Sequence, residues 1–320
     1  MRAEPRRSLP APVLDRIVHT AFPGCRVLAS EPLGDGKRNA NFKLRLDHAP
    51  EPVVLRIYEH DASLCQKEID LMRLAGSSVP VPEVIYAEPH ACGDLPPYRF
   101  TRWIEGITFK QLKRSGDAEA IAEAAHAAGE TLAAIGRFQF PKPGWLAPGP
   151  TVGAPLLEGA DPTPRFIDLC LAAQNLQRRL PAELRDGTHA LIWSWAPRLA
   201  VLDAETSLVH GDFNKRNLLV RLAGGRWSVA AVLDWEFAVS SSPLADLGSF
   251  LRYERPARPV AEPHFSAGYM RAGGRLPHHW RRLARLLNLV ALCESLTHDD
   301  LPDDVVPELV ELVRATIEER

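Results

Sequence analysis

The chain has no cysteine pairs at ligand or redox spacing: its five cysteines stand singly at positions 25, 65, 92, 170 and 293. No histidine pair lies near any of them at zinc-ligand spacing, so neither a zinc knot nor a disulfide framework is expected, and the thiols are read as reduced. The chain also lacks any apolar run approaching the ~20 residues that cross a bilayer. Its opening residues, MRAEPRRSLPAPVL, carry positive charge but no continuous apolar stretch of a secretory leader. These two absences predict a cytoplasmic protein with no membrane role. An excess of basic charge is missing as well: 38 Lys and Arg stand against 40 Asp and Glu, a formal net charge of −2. That balance leaves no electrostatic footprint for nucleic acid.

What is present is an ordinary globular composition, 46% hydrophobic and 24% charged over 320 residues. Single cores stop growing at roughly 250 to 300 residues, so two lobes are expected. KLRL at 43–46 and VVLRIY at 53–58 are short β-rich runs joined by the turn-forming DHAPEP, which predicts a hairpin. Residues 61–75 place Leu64, Ile69, Leu71 and Leu74 near helical spacing, and the prolines at 80 and 82 end that helix. YRFTRWIEG at 98–106 returns to strand character. From residue 117 the pattern turns helical, beginning with the Ala- and Glu-rich segment 117–138 and continuing near 165–180, 189–202, 262–272, 279–297 and 303–319. A Pro- and Gly-rich segment at 141–164 reads as a long irregular loop. Two apolar runs, 218–220 and 229–235, flank Gly224 and Gly225 and predict a small hairpin within the helical part. The fold class is α+β.

The ends of that second hairpin carry the chemistry. His210-Gly211-Asp212-Phe213-Asn214-Lys215-Arg216-Asn217 precedes it, and Asp234-Trp235-Glu236 follows. Phosphoryl transfer asks little of a protein beyond a carboxylate that orients the attacking hydroxyl and oxygen ligands for magnesium on the phosphates. A carboxylate five residues before an amide on one loop, with a further carboxylate at the end of a strand, is that inventory.

HGDFNKRN followed by DWE resembles the aminoglycoside phosphotransferase and choline kinase group, small-molecule relatives of the eukaryotic protein kinases. The resemblance implies a two-lobed protein-kinase-like fold, with a small β-rich nucleotide-binding lobe over 1–102 and a larger, mainly helical catalytic and acceptor-binding lobe over 103–320. By position it implies that Asp212 is the catalytic base or orienter, that Asn217 and Asp234 bind magnesium, and that His210 braces the loop from within the scaffold. Asp246, in SPLADLGSF, matches the residue that supports the catalytic loop. LGDGKRNANFKL resembles the group's Gly-containing loop, which places Gly34, Gly36 and Asn39 at the phosphates, glycine letting backbone N–H groups approach phosphate oxygens. The phosphate-binding lysine expected on the next strand is Arg56 here, a change that keeps the positive charge and adds a two-pronged donor. Glu68 is its natural partner. Thr101, Arg102, Trp103 and Ile104 fall where the resemblance places the adenine pocket.

The resemblance thus implies ATP and Mg as cofactors, a small-molecule alcohol as acceptor, and a monomer or homodimer. For the acceptor, Asp299, Asp300, Asp303, Asp304 and Glu294 could attract a cation, and the loop with Trp145 could cover it. The second reading is a nucleotide-binding pseudokinase acting through a partner, suggested by Arg56 in place of lysine. A kinase acting on proteins is disfavoured, because nothing between Asp234 and Asp246 resembles an activation loop.

Overall fold

In the computed structural model, which describes residues 9–34, 39–156, 159–252, 254 and 259–319, the chain divides into two units. The first comprises Met1–Gly106, Ala147–Pro150 and Ala230–Glu236; the second comprises Ile107–Leu146, Thr151–Val229 and Phe237–Arg320. The boundary expected after residue 102 therefore lies after Gly106. Ala230–Glu236, expected in the helical lobe, belongs to the first unit and takes Asp234 with it.

The first unit contains α1 (Ala11–Ala21), β1 (Val27–Pro32), β2 (Asn39–Leu46), β3 (Val53–Tyr58), α2 (Ser63–Ala75), β4 (Val84–Glu88) and β5 (Tyr98–Arg102). Its five strands form an antiparallel sheet in the order β1-β2-β3-β5-β4. Alternation along β2 turns Phe42, Leu44 and Leu46 inward, where they join Leu14, Ile17 and Val18 of α1 and Leu55 and Phe100 of the neighbouring strands. Burying each such side chain contributes about 1.5–3 kcal/mol. The predicted hairpin is β2–β3, but β2 starts at Asn39 rather than 43, because the pairing with β3 continues back to Tyr58. The strand expected over 98–106 ends at Arg102, and α1, β1 and β4 are elements the apolar pattern alone did not predict.

The second unit begins with β6 (Ile107–Thr108) and α3 (Phe109–Ser115), whose start carries a capping box formed by Thr108 and Gln111. Then come α4 (Ala118–Ile135), β7 (Gly144–Ala147), which ends in the first unit, β8 (Thr151–Val152), α5 (Pro162–Ala172), α6 (Gln174–Arg179), α7 (Ala182–Ser194) and α8 (Ala196–Asp203). The helix predicted over 189–202 is two helices, because Pro197, in the first turn of α8, has no N–H to continue α7. The loop predicted over 141–164 contains the two short strands β7 and β8.

After β9 (Ser207–Val209) comes the predicted hairpin, β10 (Leu218–Ala223) and β11 (Arg226–Val232), turning at Gly224 and Gly225 with φ of 57° and 76°. β11 starts in the second unit and runs on into the first at Ala230. β12 (Val239–Ser241), α9 (Leu244–Leu251), α10 (His264–Arg271), α11 (Trp280–Thr297) and α12 (Val306–Glu318) complete the unit. The helices α4 and α10 cross where Gly129 and Gly268 meet backbone directly: a Cβ on either would lie 2.0 Å from a carbonyl oxygen of the other helix. A core of Phe109, Phe213, Phe250 and Phe265 lies beneath the segment that follows β9, with the last two rings stacked at 4.1 Å. Among the described residues no helix is long and apolar enough to cross a membrane.

Candidate active site

In the second unit, β9 pairs with β12 and delivers the chain to His210. His210 is fully buried, with its ring edge-on to Phe213 at 6.2 Å. Its Nδ1 accepts the Asp212 N–H at 3.2 Å, so the ring stabilises the turn. Gly211 has φ of 81°, and a Cβ there would lie 2.2 Å from the Phe237 carbonyl oxygen, so only glycine fits. The turn presents Asp212. Its Oδ1 accepts the Asn214 amide at 2.6 Å and its Oδ2 the Asn217 amide at 2.7 Å. With the Asn217 nitrogen engaged by Asp212, its amide oxygen is the end left for a metal ion.

Asp246, in the first turn of α9, holds the same loop from behind. One of its oxygens accepts the His210 N–H at 2.7 Å and the other the Gly211 N–H at 3.0 Å. Burial pushes this carboxyl up to about 7, against the pull of the backbone N–H groups that favour its charged form. Asn214 was not foreseen as a site residue. It braces Asp212 and accepts the Arg216 N–H at 2.8 Å, and its position inside the motif was the available signal. Lys215 adds a further hold: its ammonium reaches Glu254 at 3.0 Å and donates to the Phe250 carbonyl.

In the first unit, Asp234 follows β11 with φ of 68°, a conformation that costs a non-glycine residue energy and that Asp tolerates better than most. It ends beside Arg56, the one charged residue of β3. The Arg56 Nη2 lies 2.7 Å from Asp234 Oδ1, 3.0 Å from Glu236 Oε2 and 3.0 Å from Glu68 Oε1, the last at ion-pair distance without hydrogen-bond alignment. Oxygens of Glu68, Asp234 and Glu236 lie within 4.8 Å of one another, a spacing that suits a divalent cation held by hard oxygen ligands. Asn39 donates its amide to Glu236 Oε2 at 2.8 Å, so this one oxygen serves both Asn39 and Arg56.

Glu68, on α2, is fully buried between two arginines, because Arg99 on β5 reaches its other oxygen. Tyr58 donates to that oxygen at 3.0 Å and accepts from Arg99 at 2.6 Å. Burial works against the Glu68 charge, yet Arg56 and Arg99 outweigh it and hold the carboxyl below its ordinary range. For Arg56 burial likewise opposes the charge, and Glu68 and Asp234 more than restore it. Lys67 donates to the Glu236 carbonyl at 2.8 Å, with its ammonium pKa lowered by burial. Sequence reading missed Arg99, Tyr58 and Lys67. Nothing local marks them, although an arginine between Tyr98 and Phe100 in a strand is a signal for a buried partner.

Gly34 occupies a turn after β1 with φ of 67°, and Gly36 lies outside the described residues. Thr101 is buried within β5, while Arg102 is exposed and pairs with Glu83 at 2.9 Å. The N–H groups of Arg102 and Trp103 are committed to the carbonyls of Glu83 and Pro52. Trp103 is half-buried under the Lys43 ammonium at 3.7 Å from its ring centre, and Ile104 is half-buried beyond it. Among the acceptor candidates, Glu294, Asp299, Asp300, Asp303 and Asp304 are all exposed, and Asp299 binds the Asn175 amide at 2.6 Å.

This fold, a β-rich unit and a helical unit with a loop carboxylate braced by two amides, is the α+β architecture of kinase-like phosphotransferases. Residues 30–286 match the Phosphotransferase enzyme family, and the chain belongs to it. No curated protein sequence matches. Among solved structures, the GDP complex of wild-type aminoglycoside 2'-phosphotransferase-IIIa superposes with a TM-score of 0.72 at 19% identity, over 97% of this chain and 99% of that one. Aminoglycoside phosphotransferase APH(4)-Ia gives a TM-score of 0.70 at 19% identity, over 96% and 98%. A thermostable mutant of the latter, solved with AMP-PNP and hygromycin B, gives 0.69 at 19% identity, over 95% and 97%. At these identities the likeness establishes the fold.

Proposed function

We propose that this chain transfers the γ-phosphoryl group of ATP to a hydroxyl group of a small molecule, of the aminoglycoside, amino alcohol or sugar kind, in the cytoplasm and with magnesium. The observation that carries the reading is the Asp212 carboxylate, held by Asn214 and Asn217 on a loop that Asp246 anchors. Asp212 takes the acceptor's hydroxyl proton as the oxygen bonds to the γ-phosphorus and the bond to the leaving ADP breaks. Asn217, through its amide oxygen, and Asp234 are the proposed magnesium ligands. The ion neutralises charge on the phosphates when bound. Arg56, aimed by Glu68, and Asn39 and Gly34 are assigned to the phosphates, as is Gly36. The segment Thr101–Ile104 is assigned to adenine, with Arg102 and Trp103 offering carbonyls and side chains because their N–H groups are in use.

Solved structures of this fold carry AMP-PNP, ADP or GDP in their complexes, and several also hold hygromycin B or kanamycin. Nucleotide consumption should therefore be screened with ATP and GTP against aminoglycosides, macrolides, amino alcohols and sugars. Metal-dependent turnover that survives both Asp212→Ala and Asp234→Asn would sink the assignment. One observation favours the pseudokinase reading, the direct ion pair between Arg56 and Asp234. Nucleotide binding without turnover of any acceptor in that screen would support it.

A further inference from the structure

Arg56 does more in this structure than a phosphate-binding cation requires. A single nitrogen, Nη2, lies within 3.0 Å of an oxygen from each of Glu68, Asp234 and Glu236, the three carboxylates spaced for a divalent cation. Arg56 is only 7% exposed, so these attractions are poorly screened. We propose that Arg56 is the resident cation of this carboxylate site, which takes up a divalent ion only together with a nucleotide whose phosphates draw the guanidinium away. The inference rests on the nucleotide-dependent reading above and specifies how metal and nucleotide are coupled.

Charge balance and hydrogen bonding both lead there. Arg56, Arg99 and Lys67 formally balance Glu68, Asp234 and Glu236. A divalent ion entering alone would leave the cluster with two uncompensated positive charges and would sit against a guanidinium that cannot deprotonate. A nucleoside triphosphate brings the missing negative charge. The cluster also has hydrogen-bonding capacity unused among the described residues: the buried Nε of Arg56 has no acceptor. A phosphate oxygen satisfies that donor and competes with Asp234 for the same guanidinium, which frees the carboxylate for the metal. Glu236 holds Asn39 and Arg56 on one oxygen, so the amide assigned to the phosphates moves in the same exchange.

The test uses Mn2+ as a spin-active probe on the full chain, with bound ion read by electron paramagnetic resonance. Wild-type protein freed of nucleotide should leave Mn2+ in solution, and passage through a desalting column should retain one ion per chain only when AMP-PNP is present. Arg56→Met, without nucleotide, should bind Mn2+ on the order of 100-fold more tightly than wild type, since the competing charge is gone. That gain should vanish in Arg56→Met/Asp234→Asn. Arg56→Lys keeps a cation and should stay weak. Wild type that takes up Mn2+ as tightly alone as with AMP-PNP overturns the proposal, as does a folded Arg56→Met that gains nothing. Should circular dichroism show Arg56→Met unfolded, Arg56→Gln, which also removes the charge, takes its place in the nucleotide-free comparison. A fluorescent ATP analogue that fails to bind wild type at any metal concentration would instead defeat the nucleotide reading, while the nucleotide-free Mn2+ comparison still judges Arg56.

Discussion

Replacing Asp246 with asparagine tests how the loop that carries Asp212 is held. Both carboxyl oxygens accept backbone N–H groups, from His210 at 2.7 Å and Gly211 at 3.0 Å, inside a fully buried environment. The introduced amide would keep the size but exchange one acceptor for a donor, so one N–H loses its partner at a cost of about 1–3 kcal/mol. A second effect depends on pH. Burial raises the Asp246 carboxyl to about 7 in the folded chain, whereas the unfolded chain has the ordinary value of 3.8. A group whose folded pKa is raised contributes stability at low pH and loses it as pH climbs through the folded value. From pH 5 to pH 8 that contribution falls by about 2–3 kcal/mol in wild type and is absent from the variant. The gap between wild type and Asp246→Asn in urea titrations should therefore be larger at pH 5 than at pH 8, and kcat of the variant should fall at both. A gap that is constant or widens with pH would refute the reasoning, because the carboxyl would then be held in its charged form by the two N–H groups.

Other predictions follow from the same geometry. Gly211→Ala puts a methyl group 2.2 Å from the Phe237 carbonyl at φ of 81°, so thermal melts should show a loss of at least about 2 kcal/mol together with lost turnover. Asp234→Asn and Asp234→Ala should both reduce kcat by on the order of 1,000-fold or more, but Asn should remain more stable by about 1 kcal/mol, because it tolerates the positive φ better; equal melting temperatures would contradict this. Arg99→Met removes one of the two cations that flank buried Glu68 and should cost about 3–5 kcal/mol in denaturant titrations while raising the nucleotide KM. That variant should also be less sensitive to acid than wild type. Glu68 is held below its ordinary pKa, so its contribution is present above that value and lost as pH falls.

The residues of the second unit's loop could be read in advance because their interactions are local. Asp212 bonds to residues two and five positions away, so the motif carries its own geometry. The β2–β3 and β10–β11 hairpins were legible for the same reason, as short apolar runs joined by turn residues. Strands β1 and β4 were not. β1 is mostly exposed, with only its end residues half-buried, and β4 has no fully buried position, so neither shows the apolar alternation that marks a strand. The break between α7 and α8 was signalled by Pro197 but hidden by continuous helical composition.

Sequence by itself determined the chemistry available to this protein: a carboxylate and amide on one loop, a carboxylate after a strand, and an arginine where the resemblance expects a lysine. The tertiary structure alone decided what that arginine touches besides Glu68. Its contacts to Asp234 and Glu236 join residues 178 and 180 positions apart, and Asn39 meets Glu236 across 197. No periodicity or spacing encodes such pairs. They form because sheet pairing places Arg56 and Arg99 side by side, while α2 brings Glu68 between them. Once buried there, each charge holds only where an opposite charge meets it.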